Sequence, residues 1–456
     1  MKSRKLGIHD RYPMKLIRTL YLSNRLLQAA GVVVFAFILT FVFDTPVIVP
    51  KVLFVAWLAL AVADLMLLYR SRVGLRGGRR VPERLSNGDE NDIRIELDNL
   101  FPFTASLEVI DEIPHQFQRR DLSFRLSLNS GESKVLVYSL RPVKRGAYAF
   151  GTVNVFVESP ISFFKRRFQF SGDTVVPVYP SFIQMRKYEL MAISNRLTDV
   201  GIKRIRRIGQ NMEFELIKEY VNGDDFRTVN WRATARRNAL MVNHYQDERS
   251  QQVYSLIDKG RVMEMPFDGL SLLDYAINAS LVISNIAIKK SDRAGLITFQ
   301  HKVSATVPAG RQSRQMATIL EVLYNQKTAY RETDYAALFG HVRRKITQRS
   351  LLLLFTNFES LHSLQRQLPY LKRMADQHLL VVIFFENTEL KETLELPAED
   401  VQQIYHKAIA EKFSYDKKLI AKELSRHGIQ VVLTTPASLT VNTINKYLEL
   451  KSRGMI

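Results

Sequence analysis

Three groups of residues have the types and spacing for chemistry. Gly223-Asp224-Asp225 sets two carboxylates side by side, the arrangement that holds a divalent ion in a polymerase or activates water in a hydrolase. His244 precedes Asp247 and Glu248, which would give an imidazole with carboxylates to orient it, an acid/base set. Asp258 ends the run Gln252-Val-Tyr-Ser-Leu-Ile257 and is followed by Lys259-Gly260-Arg261-Val262. A carboxylate at the carboxyl end of an apolar strand stands where α/β folds bind ligands, as do Thr356 and Asn357 farther on.

Several chemistries are set aside at once. The Asp pair lacks apolar strands on either side, so a polymerase site is not supported. The first strand of the alternating part has no glycine-rich phosphate loop, and neither nucleotide fingerprint matches. The nine histidines show no paired metal spacing, and the absence of cysteine excludes thiol chemistry and a disulfide framework.

The first two groups lie in one polar stretch, Tyr220 to Tyr245, read as loop, short helix and strand. Asp224 and Asp225 suit a helix start, because a short carboxylate accepts the free N–H groups of a first turn. Phe226, Val229 and Ala233 then share a helical face, Asn238 suits a left-handed end, and Leu240 to Tyr245 reads as a strand. The stretch sits where a β-rich part gives way to an alternating β/α part. As a junction, it would have Trp231 packed between the two parts, and Asp224 and Asp225 capping the helix or pairing with Arg227, Arg232 or Arg236.

The elements around it fall into four segments. Residues 1–80 read as a membrane hairpin, with helices at about 26–43 and 52–69. At about 1.5 Å per residue each just spans a hydrocarbon core of roughly 30 Å. Basic residues flank both outer ends and the link carries little charge, which places both termini in the cytoplasm. Asp64 lies near the end of the second run, where Arg70 or interfacial water would pair with it. The net charge of +20 points to a polyanionic surface, and the basic residues near the predicted membrane surface make anionic lipid the first choice, with no nucleic acid expected. Lys203-Arg-Ile-Arg-Arg207 is a further basic run.

Residues 81–180 alternate apolar and polar in short runs separated by glycine turns, as in Asp92-Ile-Arg-Ile-Glu-Leu-Asp98, which predicts an antiparallel sandwich with an immunoglobulin-like arrangement. Residues 181–250 form a connector. Residues 251–456 alternate strands and helices, including the apolar runs Ser350 to Phe355 and Leu379 to Phe385, which predicts a doubly wound α/β domain.

Two resemblances follow from these residues. The strand ending at Asp258 looks like the start of a von Willebrand factor type A domain, where Asp-x-Ser-x-Ser, a later Thr and a later Asp hold one divalent ion. Thr333 fits the Thr position, but Gly260 and Val262 stand at the serines and Asn357 at the second Asp, while Lys259 and Arg261 add positive charge. A hard cation such as magnesium wants several oxygens and net negative charge, so no metal and no cofactor are expected.

The second resemblance is longer. Tyr220, Gly223, Asp224, Asp225, Arg227, Asn230, Trp231, Thr234, Ala235 and Arg236, with Tyr245 and Glu248, resemble the signature of the bacterial "domain of unknown function 58" family. The resemblance implies an inner-membrane protein acting beside a MoxR-type AAA+ ATPase. It would be a non-enzymatic, cytoplasm-facing adaptor or scaffold in the maturation or assembly of other proteins. The alternatives are an envelope structural or assembly protein independent of an ATPase, or a hydrolase using Asp224, Asp225 and His244.

Overall fold

The structure, a computed structural model, describes residues 19–44, 46–71, 73–119, 122–193, 212–221, 224, 226–247, 250–328, 330–387 and 400–455. It divides into two compact units, Met1–Tyr179 and Pro180–Ile456.

The first unit opens with a short strand, β1 (Leu20–Leu22), then two apolar helices, α1 (Asn24–Val42) and α2 (Ile48–Arg70). Ser23 caps α1. α2 begins four residues earlier than its apolar run suggests, because Pro50 lies in its first turn, where a missing N–H costs nothing. Both helices are long and apolar enough to cross a membrane.

The β-rich part follows: β2 (Leu75–Arg80), β3 (Leu85–Ser86), β4 (Asn91–Asn99), β5 (Ala105–Asp111), β6 (Ser123–Leu128), β7 (Ser133–Leu140), β8 (Gly146–Phe150), β9 (Val153–Glu158), β10 (Phe164–Phe170) and β11 (Thr174–Tyr179). They form sheets β1-β10-β9-β5-β6, β2-β4-β7 and β3-β11-β8. All pairings are antiparallel except β3 with β11. Ile93, Ile95 and Leu97 of β4 are fully buried, as strict alternation requires, and one core joins the sheets.

Two expectations about the hairpin are corrected. Asp64 does not wait for Arg70 or water. It is fully buried, accepting the N–H groups of Phe163 and Phe164 at 2.8 Å each and the Ser159 hydroxyl. Leu68 of the same helix enters the β core, and Arg166 donates to the Leu68 carbonyl at 2.6 Å. The basic run after the hairpin is strand β2, and Arg79 within it is buried against Asp111, with Phe150 beneath its guanidinium at 4.9 Å. β1 pairs with β10, so both outer ends of the hairpin are tied to one sheet.

In the second unit α3 (Phe182–Ile193) precedes a hairpin of β12 (Met212–Glu219) and β13 (Met241–Asp247), which holds the short helix α4 (Trp231–Arg237) in its connection. The remaining elements are β14 (Gln252–Asp258), a two-residue hairpin β15 (Pro266–Phe267) and β16 (Leu270–Ser271), α5 (Leu272–Lys289), β17 (Arg293–Phe299), β18 (Val303–Gly310), α6 (Gln315–Tyr324), α7 (Tyr335–Lys345), β19 (Leu351–Phe355), α8 (Leu361–Gln377), β20 (Leu379–Phe385), α9 (Val401–Arg426), β21 (Gln430–Thr434) and α10 (Leu439–Ser452). The sheet runs β18-β17-β14-β19-β20-β21, parallel except for β18. One face packs on α5, α6 and α10 and the other on α7, α8 and α9, which makes three layers. α5 is as apolar as a membrane span, yet is buried on the sheet.

Candidate functional site

Asp258 is the last residue of the central strand β14 and has no solvent exposure. Its two oxygens are engaged by the chain itself. Oδ1 accepts the Gly260 N–H at 2.8 Å and the Thr333 hydroxyl at 2.6 Å, and Oδ2 accepts the Thr356 hydroxyl at 2.8 Å. Thr356 stands 2.6 Å from the Tyr335 hydroxyl. Its one hydrogen goes to Asp258, so Tyr335 is the donor in that pair. Burial pushes the Asp258 carboxyl up from its ordinary range, while the bonds from Thr333, Gly260 and Thr356 pull it back. Burial and the nearby Asp258 charge raise the Tyr335 phenol well above its usual value.

Of the positions aligned with a metal motif, Asp258, Gly260 and Thr333 meet. A Cβ at Gly260 would lie 2.0 Å from the Thr333 hydroxyl, so a side chain there and the present Thr333 bond exclude one another. Val262 lies in a single helical turn, Arg261–Met263, and packs on the core. Asn357 is turned to a different partner: its carbonyl oxygen accepts from the ammonium of Lys417, which also donates to the Phe358 carbonyl at 2.6 Å. Lys417 lies 5.7 Å over the Phe384 ring, and burial pushes its pKa down to about 8. Lys259, also buried, is shifted down by desolvation. Among the described residues no group of three or more His, Cys, Asp or Glu side chains gathers as a metal cluster.

Lys417 and Tyr335 are the members that sequence reasoning missed. Lys417 sits on α9 with no local mark to separate it from the other lysines of that helix. Tyr335 follows directly on Thr333-Asp334, where a helix start hides a ring whose hydroxyl points to a strand end.

The signature stretch is built differently. Asp224 accepts from Lys218 at 2.9 Å and from the Val221 N–H at 3.0 Å. Phe226–Thr228 makes one tight turn, and α4 starts only at Trp231, capped by Asn230, whose side-chain oxygen accepts the Ala233 N–H at 3.1 Å. The expected helix start at Asp224 and Asp225 is thus displaced to Asn230, because Val229 is held in a bridge to Val242. The Thr234 hydroxyl accepts the Met241 N–H at 3.0 Å, and Asn238 adopts the left-handed end at φ 53°. Arg227, Ala235 and Arg236 are exposed. Trp231, expected in a packed junction, is 65 % exposed and meets Phe226 edge to face. Gly223, Asp225, Glu248 and Lys203 to Arg207 lie outside the described residues, as do the side chains of His244, Tyr245 and Asp247.

The fold and site define a protein with membrane-spanning-length helices, a β-rich module and an α/β unit whose strand-end carboxylate is closed by its own hydroxyls. Residues 217–418 match the family described as "Protein of unknown function DUF58", the family that the residues from Tyr220 to Glu248 resemble. "Uncharacterized protein YeaD" of Bacillus subtilis (strain 168) is 26 % identical over 205 residues, which cover 43 % of this chain and 50 % of that protein. The chain therefore spans about half the length of that relative. Among solved structures, the conserved hypothetical protein BatB from Bacteroides thetaiotaomicron aligns at 13 % identity with a TM-score of 0.31, over 45 % of this chain and all of that one. The CARDB domain of the PF1109 protein from Pyrococcus furiosus aligns at 16 % identity and 0.16, over 23 % and 91 %.

Proposed function

We propose that the protein is a membrane-anchored adaptor with both termini in the cytoplasm, that it binds protein partners there, and that a MoxR-type AAA+ ATPase is among them. The observation that carries this reading is the state of Asp258. A carboxylate that is to act on a substrate, or to hold an ion, keeps acceptor directions open toward it. Three of the roughly four acceptor directions of Asp258 are instead taken by Gly260, Thr333 and Thr356, and an ammonium, Lys417, already stands at Asn357. The group acts as a structural post at the ligand-binding edge of the sheet.

We assign the second unit's α/β part to the von Willebrand factor type A-like class. What supports this is the sheet order, with an antiparallel strand at one edge, helices on both faces, and Asp258 ending the central strand. The basic residues at both outer ends of the apolar pair support the cytoplasmic orientation.

The test is co-purification. The full chain, solubilised in detergent, is mixed with the MoxR-type ATPase encoded nearest to it, in the absence of nucleotide and with ATP, ADP and a non-hydrolysable analogue. A stable complex in at least one state is expected. Failure in every state overturns the partner, and a turnover abolished by Asp258→Asn in a folded protein overturns the non-enzymatic reading.

A further inference from the structure

Among the described residues of the signature stretch, three polar side chains are held by the stretch's own backbone and neighbours, while large apolar ones are left exposed. Asp224, Asn230 and Thr234 spend their acceptors on Lys218, Val221, Ala233 and Met241 of the same small unit. What this framework presents is Val221, Phe226 and Trp231, at 62, 60 and 65 % exposure. Their neighbours form a row of rings, Tyr220 to Phe226 at 6.0 Å and Phe226 to Trp231 at 6.4 Å, both edge to face. On α4, Trp231 and Ala235 stand one turn apart, and Arg232 and Arg236 form the adjoining row; all four are exposed.

We propose that this face docks on the anionic surface of the bilayer, with Trp231 and Phe226 at headgroup depth and Arg232 and Arg236 on lipid phosphates. Tryptophan and phenylalanine beside arginine are the residues that such an interface takes up: rings that are apolar in body, cations on long stems. The charge complements it, since Arg232, Arg236 and Arg237 are exposed on the helix that carries Trp231 and the cytoplasmic leaflet is negative. The bilayer is also the one partner whose presence the chain itself implies, through α1 and α2. Tethering by those helices keeps the local lipid concentration high, so a patch of three apolar side chains and two arginines suffices. This inference rests on the membrane-anchored, cytoplasm-facing part of the proposed function and stands apart from the ATPase partner.

The sequence has two tryptophans, Trp57 in α2 and Trp231, so Trp57→Phe leaves Trp231 as the sole reporter in the full chain. The protein is placed in nanodiscs of phosphatidylcholine alone or of phosphatidylcholine with phosphatidylglycerol. In the anionic discs, Trp231 emission should shift to shorter wavelength, iodide quenching should fall several-fold, and brominated lipid should quench. High salt should reverse the shift, since screening shortens the reach of surface charge. Arg232→Glu with Arg236→Glu should abolish it at an unchanged unfolding temperature. Identical emission and iodide access in both discs overturns the proposal. So does a Trp231 already shielded in lipid-free detergent, which would mean that protein covers the face. A shift that appears only on adding a soluble acidic protein, with no lipid effect, overturns it in favour of protein docking.

Discussion

Asp64 of the second apolar helix accepts the backbone N–H of Phe163 at 2.8 Å, and the next N–H, of Phe164, at the same distance. One carboxylate thus joins a membrane-length helix to the turn between two strands of the β-rich module. With Ser159 as a third donor, the side chain is fully buried and held entirely by its own chain. The apolar pair is consequently no loose tether: β1 fastens its start to β10, and Asp64 and Leu68 fasten its end.

Asp64→Ala leaves two backbone N–H groups and a hydroxyl without that acceptor. Hydrogen bonds contribute about 0.5–1.5 kcal/mol each, and donors left unpaired add to the loss. Asp64→Asn fails differently, because its amide NH2 faces one of the donors. Both variants should lower the unfolding temperature in detergent, and protease should cleave more readily between α2 and β2. A variant that unfolds with the wild type would show that the contact contributes nothing.

Gly260→Ser tests how firmly the strand-end site is closed. Its Cβ would lie 2.0 Å from the Thr333 hydroxyl and 3.0 Å from Asp258 Oδ1, so Thr333 must rotate away and give up its bond. Overpacking of this kind costs about 1–3 kcal/mol. In a Thr333→Ala background the nearest obstacle, the hydroxyl, is gone and the Asp258 oxygen at 3.0 Å is the nearest that remains, so the same serine should cost less. A double-mutant cycle by chemical denaturation measures the coupling, and additive effects would sink the account.

The legible parts of the sequence were those where a local pattern decides the outcome. Ile93, Ile95 and Leu97 announced β4 by alternation, and Leu379 to Phe385 announced a buried strand by being apolar throughout. Where the deciding partner is distant, the pattern misleads. Leu75 to Arg80 holds two glycines and three arginines and reads as a basic run, yet it is a strand because β4 pairs with it, and Arg79 is buried because Asp111 is there to meet it. β18 was missed although Val303, Ala305 and Val307 alternate, since the run is short and ends in Pro308-Ala-Gly. In the candidate site, Asp258 was visible as a charge ending an apolar strand. Lys417, 60 positions beyond Asn357, was not. The helix start was misplaced for a similar reason: Asp224 looks like a cap, but Val229 is held in a bridge to Val242 and the helix begins only after Asn230.

Lys417 predicts a pH dependence with a definite sign. Burial lowers its pKa from 10.5 to about 8. Between those values the unfolded chain holds the proton and the folded chain releases it. The folded state then binds fewer protons, so stability from this group rises with pH across that window. Below about pH 8 the ammonium is charged in both states and its burial is a standing cost. Lys417→Met removes the titration, although it leaves the Asn357 and Phe358 oxygens without their donor. The wild type should therefore gain on the variant from pH 8 towards 10.5, by at most roughly 1.4 kcal/mol for each pH step of one crossed. A stability difference that stays flat over this range would place Lys417 in contact with water.

Asn230 predicts a local loss rather than a global one. α4 has seven residues, too few to persist as a helix without support. Its support is the Asn230 cap on the Ala233 N–H, the Thr234 hydroxyl on the Met241 N–H, and the tie from Asn230 Nδ2 to Asn243 at 2.9 Å. Asn230→Ala removes a cap whose loss costs about 1 kcal/mol. Among the described residues α4 packs on β13, so the cost should appear there first. Hydrogen exchange should quicken at residues 231–238 while the amides of β14 and β19 keep their protection. Asn230→Asp keeps the capping oxygen and should restore most of the protection, with a residual deficit from the lost amide donor to Asn243. Equal acceleration across the six-stranded sheet would mean that the signature supports the whole unit, and not only the face that carries Phe226 and Trp231.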